Sequence, residues 1–209
     1  MNNRPRRRRA GWGWIASTSV FGTLWTFFFA ANLQQWALQD RPVGLGPLEI
    51  ELVFAILYIV RRQPIAVSRE PLAWGAAAVA VGGMLLARPA YDPVWGLEPL
   101  YFALQLAGAA AALLTLLTLG RSVGVVAANR GVKTGGPYGI VRHPLYGAYL
   151  LTMAGYLLEN PSPFNLIIFA TVTAAHVIRI HEEEKCLGTD PHYRLYRRQV
   201  PFRLMPYVY

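Results

Sequence analysis

The chain has 209 residues, 54% of them hydrophobic and only 15% charged, with a mean hydropathy of +0.30. That balance describes one domain whose solvent is largely lipid rather than water. The net charge of +9 does not point to nucleic acid, because long apolar runs separate the basic clusters and no Lys/Arg-studded face with interleaved aromatics can form.

The segments in chain order predict an all-α, polytopic membrane bundle of about six spans. After Arg4 and the run Arg6–Arg9, residues Trp12 to about Leu33 are uncharged and rich in Phe and Trp. This stretch is long enough to cross a bilayer of roughly 30 Å, and it exceeds a signal-peptide core, so it reads as an uncleaved first span. Asp40-Arg41-Pro42 and Gly44 to Pro47 make a turn. Leu48 to Val60 is a shorter second span, closed by Arg61-Arg62. Pro71 to Ala87 is a third, whose Gly75, Gly82 and Gly83 are expected to admit a neighbouring helix closely. Arg88 to Pro93 turns the chain, and Glu98 to Leu119 is the fourth span. Leu145 to Leu158 and Phe164 to Ile180 complete the set. Their short, proline-rich connection, Glu159 to Pro163, makes them an antiparallel hairpin whose first helix is barely long enough to cross.

Counting Lys and Arg by loop, with the N-terminus taken as cytoplasmic, leaves 18 of the 20 on the inside and only Arg41 and Arg88 outside. The positive-inside rule therefore expects both termini, and the turn between the fourth and fifth spans, in the cytoplasm. The nearly uncharged spans argue against a channel or transporter. Cys186 is the single cysteine, so no internal disulfide is possible, and the four histidines lack a zinc-binding spacing, so no metal is assigned.

The central turn is the stretch KTGGPYGIVRHPLYGAY, Lys133 to Tyr149. Gly135-Gly136, Pro137 and Pro144 interrupt any helix there, so an ordered irregular turn is expected. It carries Lys133, Arg142, His143, Tyr138, Tyr146 and Tyr149 at a membrane edge. These are the groups a polar ligand requires: glycines for close backbone approach, cations for a carboxylate or phosphate, aromatic faces for a flat ring. The same basic residues could instead serve only to hold membrane orientation.

A second constellation ends the last span, which continues as a helix through IRIHEEEKCL to Gly188. At 100° per residue His176, Arg179 and Glu183 share one face, and Glu184 lies on an adjacent one. Three glutamates at a helix C-terminus oppose its dipole by a few tenths of a kcal/mol each, so at least one is expected to have a cationic partner. Arg179 within the helix, or the ammonium group of a ligand, would serve.

The ordered set GPYGIVRHPLYGAY, a short apolar hairpin, RIHEEEKCLG, Tyr193, Tyr196 and VPFRLMP resembles the C-terminal half of the isoprenylcysteine carboxyl methyltransferase and phospholipid methyltransferase superfamily. The resemblance covers about residues 120–209 and implies an integral-membrane enzyme using S-adenosyl-L-methionine. On that basis His143, Glu183 and Arg142 are expected to be catalytic. The cofactor is expected at Lys133, Gly136, Pro137, Tyr138, His143, Tyr146, Glu183, Glu184, Tyr193 and Tyr196. Gly139 stands where many relatives place arginine or another bulky residue. Residues 1–119 carry no such signature and are expected to choose the substrate, with 120–209 forming the cofactor-binding region.

Methyl transfer from a sulfonium requires no metal and no covalent intermediate; it requires an acceptor held in line at close range. A lipophilic small-molecule or lipid-anchored acceptor is expected from the membrane, bearing a prenyl-cysteine-like carboxylate, a lipid amine or a thiol. Two other readings use the same spans: an NADPH-dependent sterol-type reductase, whose phosphates the basic loop would hold, and a non-catalytic membrane scaffold. The C-terminal tail is expected to fold over the central turn, with Tyr193, Tyr196, Arg197 and Phe202 forming an amphipathic segment.

Overall fold

The computed structural model describes residues 46–88 and 96–208, together with helical positions scattered between residues 15 and 34. The expected first span falls partly on those positions. The Asp40-Arg41-Pro42 turn, and the turn after Arg88, lie outside the described residues.

Six helices follow in order: α1 (Gly46–Val60), α2 (Pro71–Gly82), α3 (Glu98–Leu119), α4 (Pro144–Glu159), α5 (Pro163–Leu187) and α6 (Pro191–Gln199). All six have proline in their first two positions, where its fixed φ suits a helix and its missing N–H loses nothing. Among the described residues two helical stretches are long and apolar enough to cross a membrane, Glu98–Ser122 and Pro163–Leu187. At 1.5 Å per residue α1 and α4 reach only about 23–24 Å, short of the hydrocarbon thickness, as α4's sequence led us to expect. Leu106, Leu114 and Leu117 on α3, and Leu166 and Ile167 on α5, remain exposed as a lipid-facing surface requires.

The helical expectation holds with one addition, a two-residue antiparallel ribbon in which β1 (Ala66–Val67) pairs with β2 (Ala128–Asn129). Ile65 N–H to Asn129 C=O (2.7 Å) and Ser68 N–H to Ala127 C=O (2.9 Å) extend it, tying together two loops far apart in sequence. No alternating apolar pattern marks so short a pairing, and backbone groups alone make it.

α3 packs along α4 and α2 along α5. The α3–α4 contact is a reciprocal glycine interface. A Cβ on Gly155 would lie 2.7 Å from the Tyr101 carbonyl, and one on Gly108 would strike the backbone of Ala148 and Thr152. Small residues bring membrane helices close enough for continuous van der Waals contact. In α2 the close approach to α5 is made by Ala76 and Ala80 against Ala175, and by Gly83, whose Cβ would lie 2.5 Å from Val172. Gly75 and Gly82 face open space, contrary to the sequence reading, because the α2 face turned to α5 is the alanine face. Past Gly82 the chain tightens into a 3₁₀ turn, Gly83–Leu86.

α4 and α5 are joined by Asn160 to Ser162 only. Ser162 caps α5 by accepting from Asn165 N–H at 3.1 Å, and the Asn165 amide binds the backbone of Arg88 and Asn160. The hairpin is antiparallel: its far end brings Tyr146, at the start of α4, to Glu183 near the end of α5.

Candidate functional site

Three segments converge at this end: the turn preceding α4, the last two turns of α5, and the C-terminal tail. The 3₁₀ turn Gly136–Gly139 sets the first. Gly136 has φ +57 and a Cβ there would lie 3.2 Å from Thr118 Oγ1, so both backbone and space call for glycine. At Gly139 an added Cβ would meet only the Thr134 carbonyl, at 3.6 Å, so the backbone there does not require glycine for space.

Arg142 and His143 then present their backbone N–H groups to the tail, donating to the carbonyls of Phe202 (2.9 Å) and Arg203 (2.8 Å). The tail folds over the central turn, as expected. Its anchor is Glu184, which is buried. Arg142 donates to Oε1 through Nε and Nη2, both at 2.8 Å, and Arg203 donates to Oε2 at 3.1 and 2.9 Å. His143 Nε2 lies 3.3 Å from Oε1. Arg142 Nη1 also donates to the carbonyls of Val200 and Pro201. Glu184 is thereby saturated, and it acts as the clasp between turn, helix and tail.

Glu183 is held differently. Tyr146 O–H donates to its Oε1 at 2.5 Å, and Oε2 has only the more distant His143 Nδ1 at 3.6 Å, while the side chain keeps 24% of its surface exposed. His143 is the shared neighbour of both carboxylates. Burial acts to lower its pKa, but hydrogen bonds to Glu183 and Glu184 prevail and hold it above the ordinary histidine value.

Below Glu183 the shared face of α5 is as the sequence predicts. Tyr146 lies along it, its ring 5.2 Å from that of His176 and 5.1 Å from the Arg179 guanidinium carbon. Arg179 donates to the Val125 carbonyl (2.8 Å) and stacks on Tyr146, where the sequence had suggested a bond to Glu183. A carbonyl brought in by the loop before β2 is the nearer acceptor.

Tyr138, Tyr193 and Tyr196 form a separate buried cluster with Val200 behind the turn. Tyr196 O–H donates to the Tyr138 carbonyl at 2.6 Å, and burial pushes its phenol up to about 12. Desolvation raises Tyr138 and Tyr193 as well, so all three stay neutral and support the turn by packing. α6 buries Tyr193 and Tyr196 and exposes Arg197, as an amphipathic segment does. Asp190 caps α6 and accepts from Asn129 Nδ2 at 3.0 Å, tying the helix to the ribbon. Lys133 is half-buried and bonded to nothing among the described residues, and Gly136 is exposed. Arg203 was missed as a site residue. Its only signal is a lone cation in the apolar tail VPFRLMP, and its partner is nineteen positions away.

A helical membrane protein with two crossing-length helices and a cluster of carboxylates, imidazole and phenol at one rim is the class defined by these features. Residues 96–190 match the family model described as phospholipid methyltransferase. The resemblance drawn from the motifs is borne out there. The match runs from the start of α3 to the residue before α6, so it spans α3, α4, the central turn and both glutamates, and stops short of Arg203. No curated protein matches the chain.

Proposed function

We propose that the protein transfers a methyl group from S-adenosyl-L-methionine to a lipophilic acceptor drawn from the bilayer. The observation that carries this reading is the unequal state of the paired glutamates. Glu184 is consumed by Arg142, Arg203 and His143, whereas Glu183 keeps a partly exposed side chain beside a phenol and an imidazole.

The residues fit the cofactor's chemistry. Glu183 suits its ammonium group, and Lys133 and the exposed backbone at Gly136 suit its carboxylate. When bound, the cofactor supplies an electrophilic methyl carbon. The chain's own contribution is orientation. Tyr146 fixes the Glu183 carboxylate, and Arg142 with Glu184 holds the tail across the turn, excluding water from one side. Tyr138, Tyr193 and Tyr196 shape the wall behind the turn. A carboxylate or thiolate acceptor requires no base; an amine or thiol gives up its proton to Glu183.

The reading includes six spans with both termini cytoplasmic, which the distribution of basic residues favours. Calorimetric titration of the purified protein with S-adenosylhomocysteine and with NADPH tests the proposal. We expect S-adenosylhomocysteine to bind and Glu183→Gln to weaken it by about 1.5–3 kcal/mol, the scale of a hydrogen bond to a charged group. Binding of NADPH alone would establish the reductase reading, and binding of neither would favour a scaffold.

A further inference from the structure

A cleft of about 630 Å³ lies in the loop between α1 and α2, ahead of the residues that match the family model. Residues 64–69 and Trp74 line it. Its walls are fixed by hydrogen bonds: β1 is paired with β2, and Trp74 Nε1–H donates to the Ser68 carbonyl at 3.1 Å, which sets the indole as one side. Ile65 is 75% exposed, and Val67 and Trp74 are exposed as well. With its N–H satisfied, Trp74 offers a ligand its apolar ring.

The surroundings select the occupant. The exposed apolar surface continues from the cleft through Ile56, Ile59 and Val60 at the end of α1 and Leu72 at the start of α2. A surface of this kind, unbroken from helix to loop in a membrane bundle, is one that lipid covers. The ribbon puts the cleft on the same rim as the candidate site, since Asn129 of β2 donates to Asp190 at the start of α6. A tryptophan at that level suits the boundary between lipid chains and head groups.

The polar edge of the cleft decides the charge. Arg69 is exposed and has no carboxylate partner among the described residues. Ser68 Oγ accepts from Glu70 N–H at 3.3 Å, which leaves the hydroxyl hydrogen to donate. Glu70 does not line the cleft, and its charge acts on Lys185. Two donors and no acid at the mouth suit a phosphate group.

We propose that the cleft seats one anionic phospholipid, its phosphate on Arg69 and Ser68 and the upper part of a chain against Ile65, Val67 and Trp74. The lipid is held as a ligand and is not itself altered. Seated there it braces β1, and through β2 and the Asn129–Asp190 hydrogen bond it steadies α6, which carries the tail.

The test uses the full chain in phosphatidylcholine nanodiscs holding a small fraction of lipid brominated near the head group, supplied either as phosphatidylglycerol or as phosphatidylcholine. Fluorescence quenching that wild type shows and Trp74→Phe lacks reports the cleft. We expect it to favour phosphatidylglycerol by roughly fivefold, the scale of one arginine beside an anionic lipid. Arg69→Gln should remove the preference, and replacing Arg197 and Arg198 of α6 with Gln should leave it. Hydrogen exchange of residues 190–199 should slow with phosphatidylglycerol in wild type and not in Arg69→Gln. Equal quenching by the two lipids, or a preference that persists in Arg69→Gln, overturns the proposal. So does a preference that is lost with Arg197 and Arg198, which would assign the anion to the surface of α6. Equal exchange protection by soluble glycerol phosphate would show a free-phosphate site and overturn the lipid. A dimer with Trp74 shielded from both lipids would give the cleft to a second copy and overturn it too. Should Trp74→Phe not fold, the total quenching of wild type against Arg69→Gln decides the question. Unchanged exchange in α6 with the preference intact would retain the lipid and refute the bracing.

Discussion

Replacing Glu184 and Glu183 in turn should separate stability from binding, although the two are adjacent. Glu184→Ala removes the common acceptor of Arg142 and Arg203 and leaves the Arg142 guanidinium buried with only the carbonyls of Val200 and Pro201. Breaking a buried ion pair from one side costs about 3–5 kcal/mol, because the abandoned charge keeps its desolvation penalty. Arg203 is 29% exposed and can turn to water, so the loss should fall near the lower end of that range. The tail should loosen with it, since the Arg142 side chain and backbone hold residues 200–202. Thermal unfolding in detergent, read beside hydrogen exchange of residues 200–208, measures both effects. Glu183→Gln should change stability much less while weakening S-adenosylhomocysteine. A Glu184→Ala protein with unchanged melting temperature and unchanged exchange in the tail would refute the clasp.

Three further outcomes are expected. His143 has a folded pKa above its unfolded value of about 6.5, so its contribution is fully present below that pH and is lost as pH rises through the folded pKa. Melting temperature should therefore fall over that interval in wild type, and the fall should be shallower in His143→Ala. Deleting residues 190–209 should abolish S-adenosylhomocysteine binding while the protein still inserts into membranes; retained affinity in the truncated chain would show that the tail does not close the site. Gly155→Leu forces side-chain atoms against the Tyr101 carbonyl, and overpacking of this kind typically costs about 1–3 kcal/mol, visible as a lower melting temperature.

Much of this protein is legible without coordinates, because its strongest signals are local. Proline at helix starts, glycine at helix ends and apolar runs of definite length fix α3, α4 and α5 to within a few residues. The three- and four-residue spacing of His176, Arg179 and Glu183 fixes their common face, which Tyr146 then covers. The ordered motifs from Gly136 to Glu184 lie within the residues that match the family model, and the tail's return to the central turn follows from its aromatic spacing.

Contacts between segments far apart in the chain were decided only by the tertiary structure. Nothing in Glu183-Glu184 says which carboxylate is a clasp and which is open to a ligand. Neighbouring helix residues point about 100° apart, and the outcome depends on where Arg142 and Arg203 arrive from opposite ends of the sequence. The same holds for Arg179, which found the Val125 carbonyl, and for α2, whose alanine face rather than Gly75 and Gly82 meets α5. Periodicity determines which residues share a face. Which face meets which partner is set by the packing of the whole bundle, where each buried charge or carbonyl takes the nearest group that satisfies it.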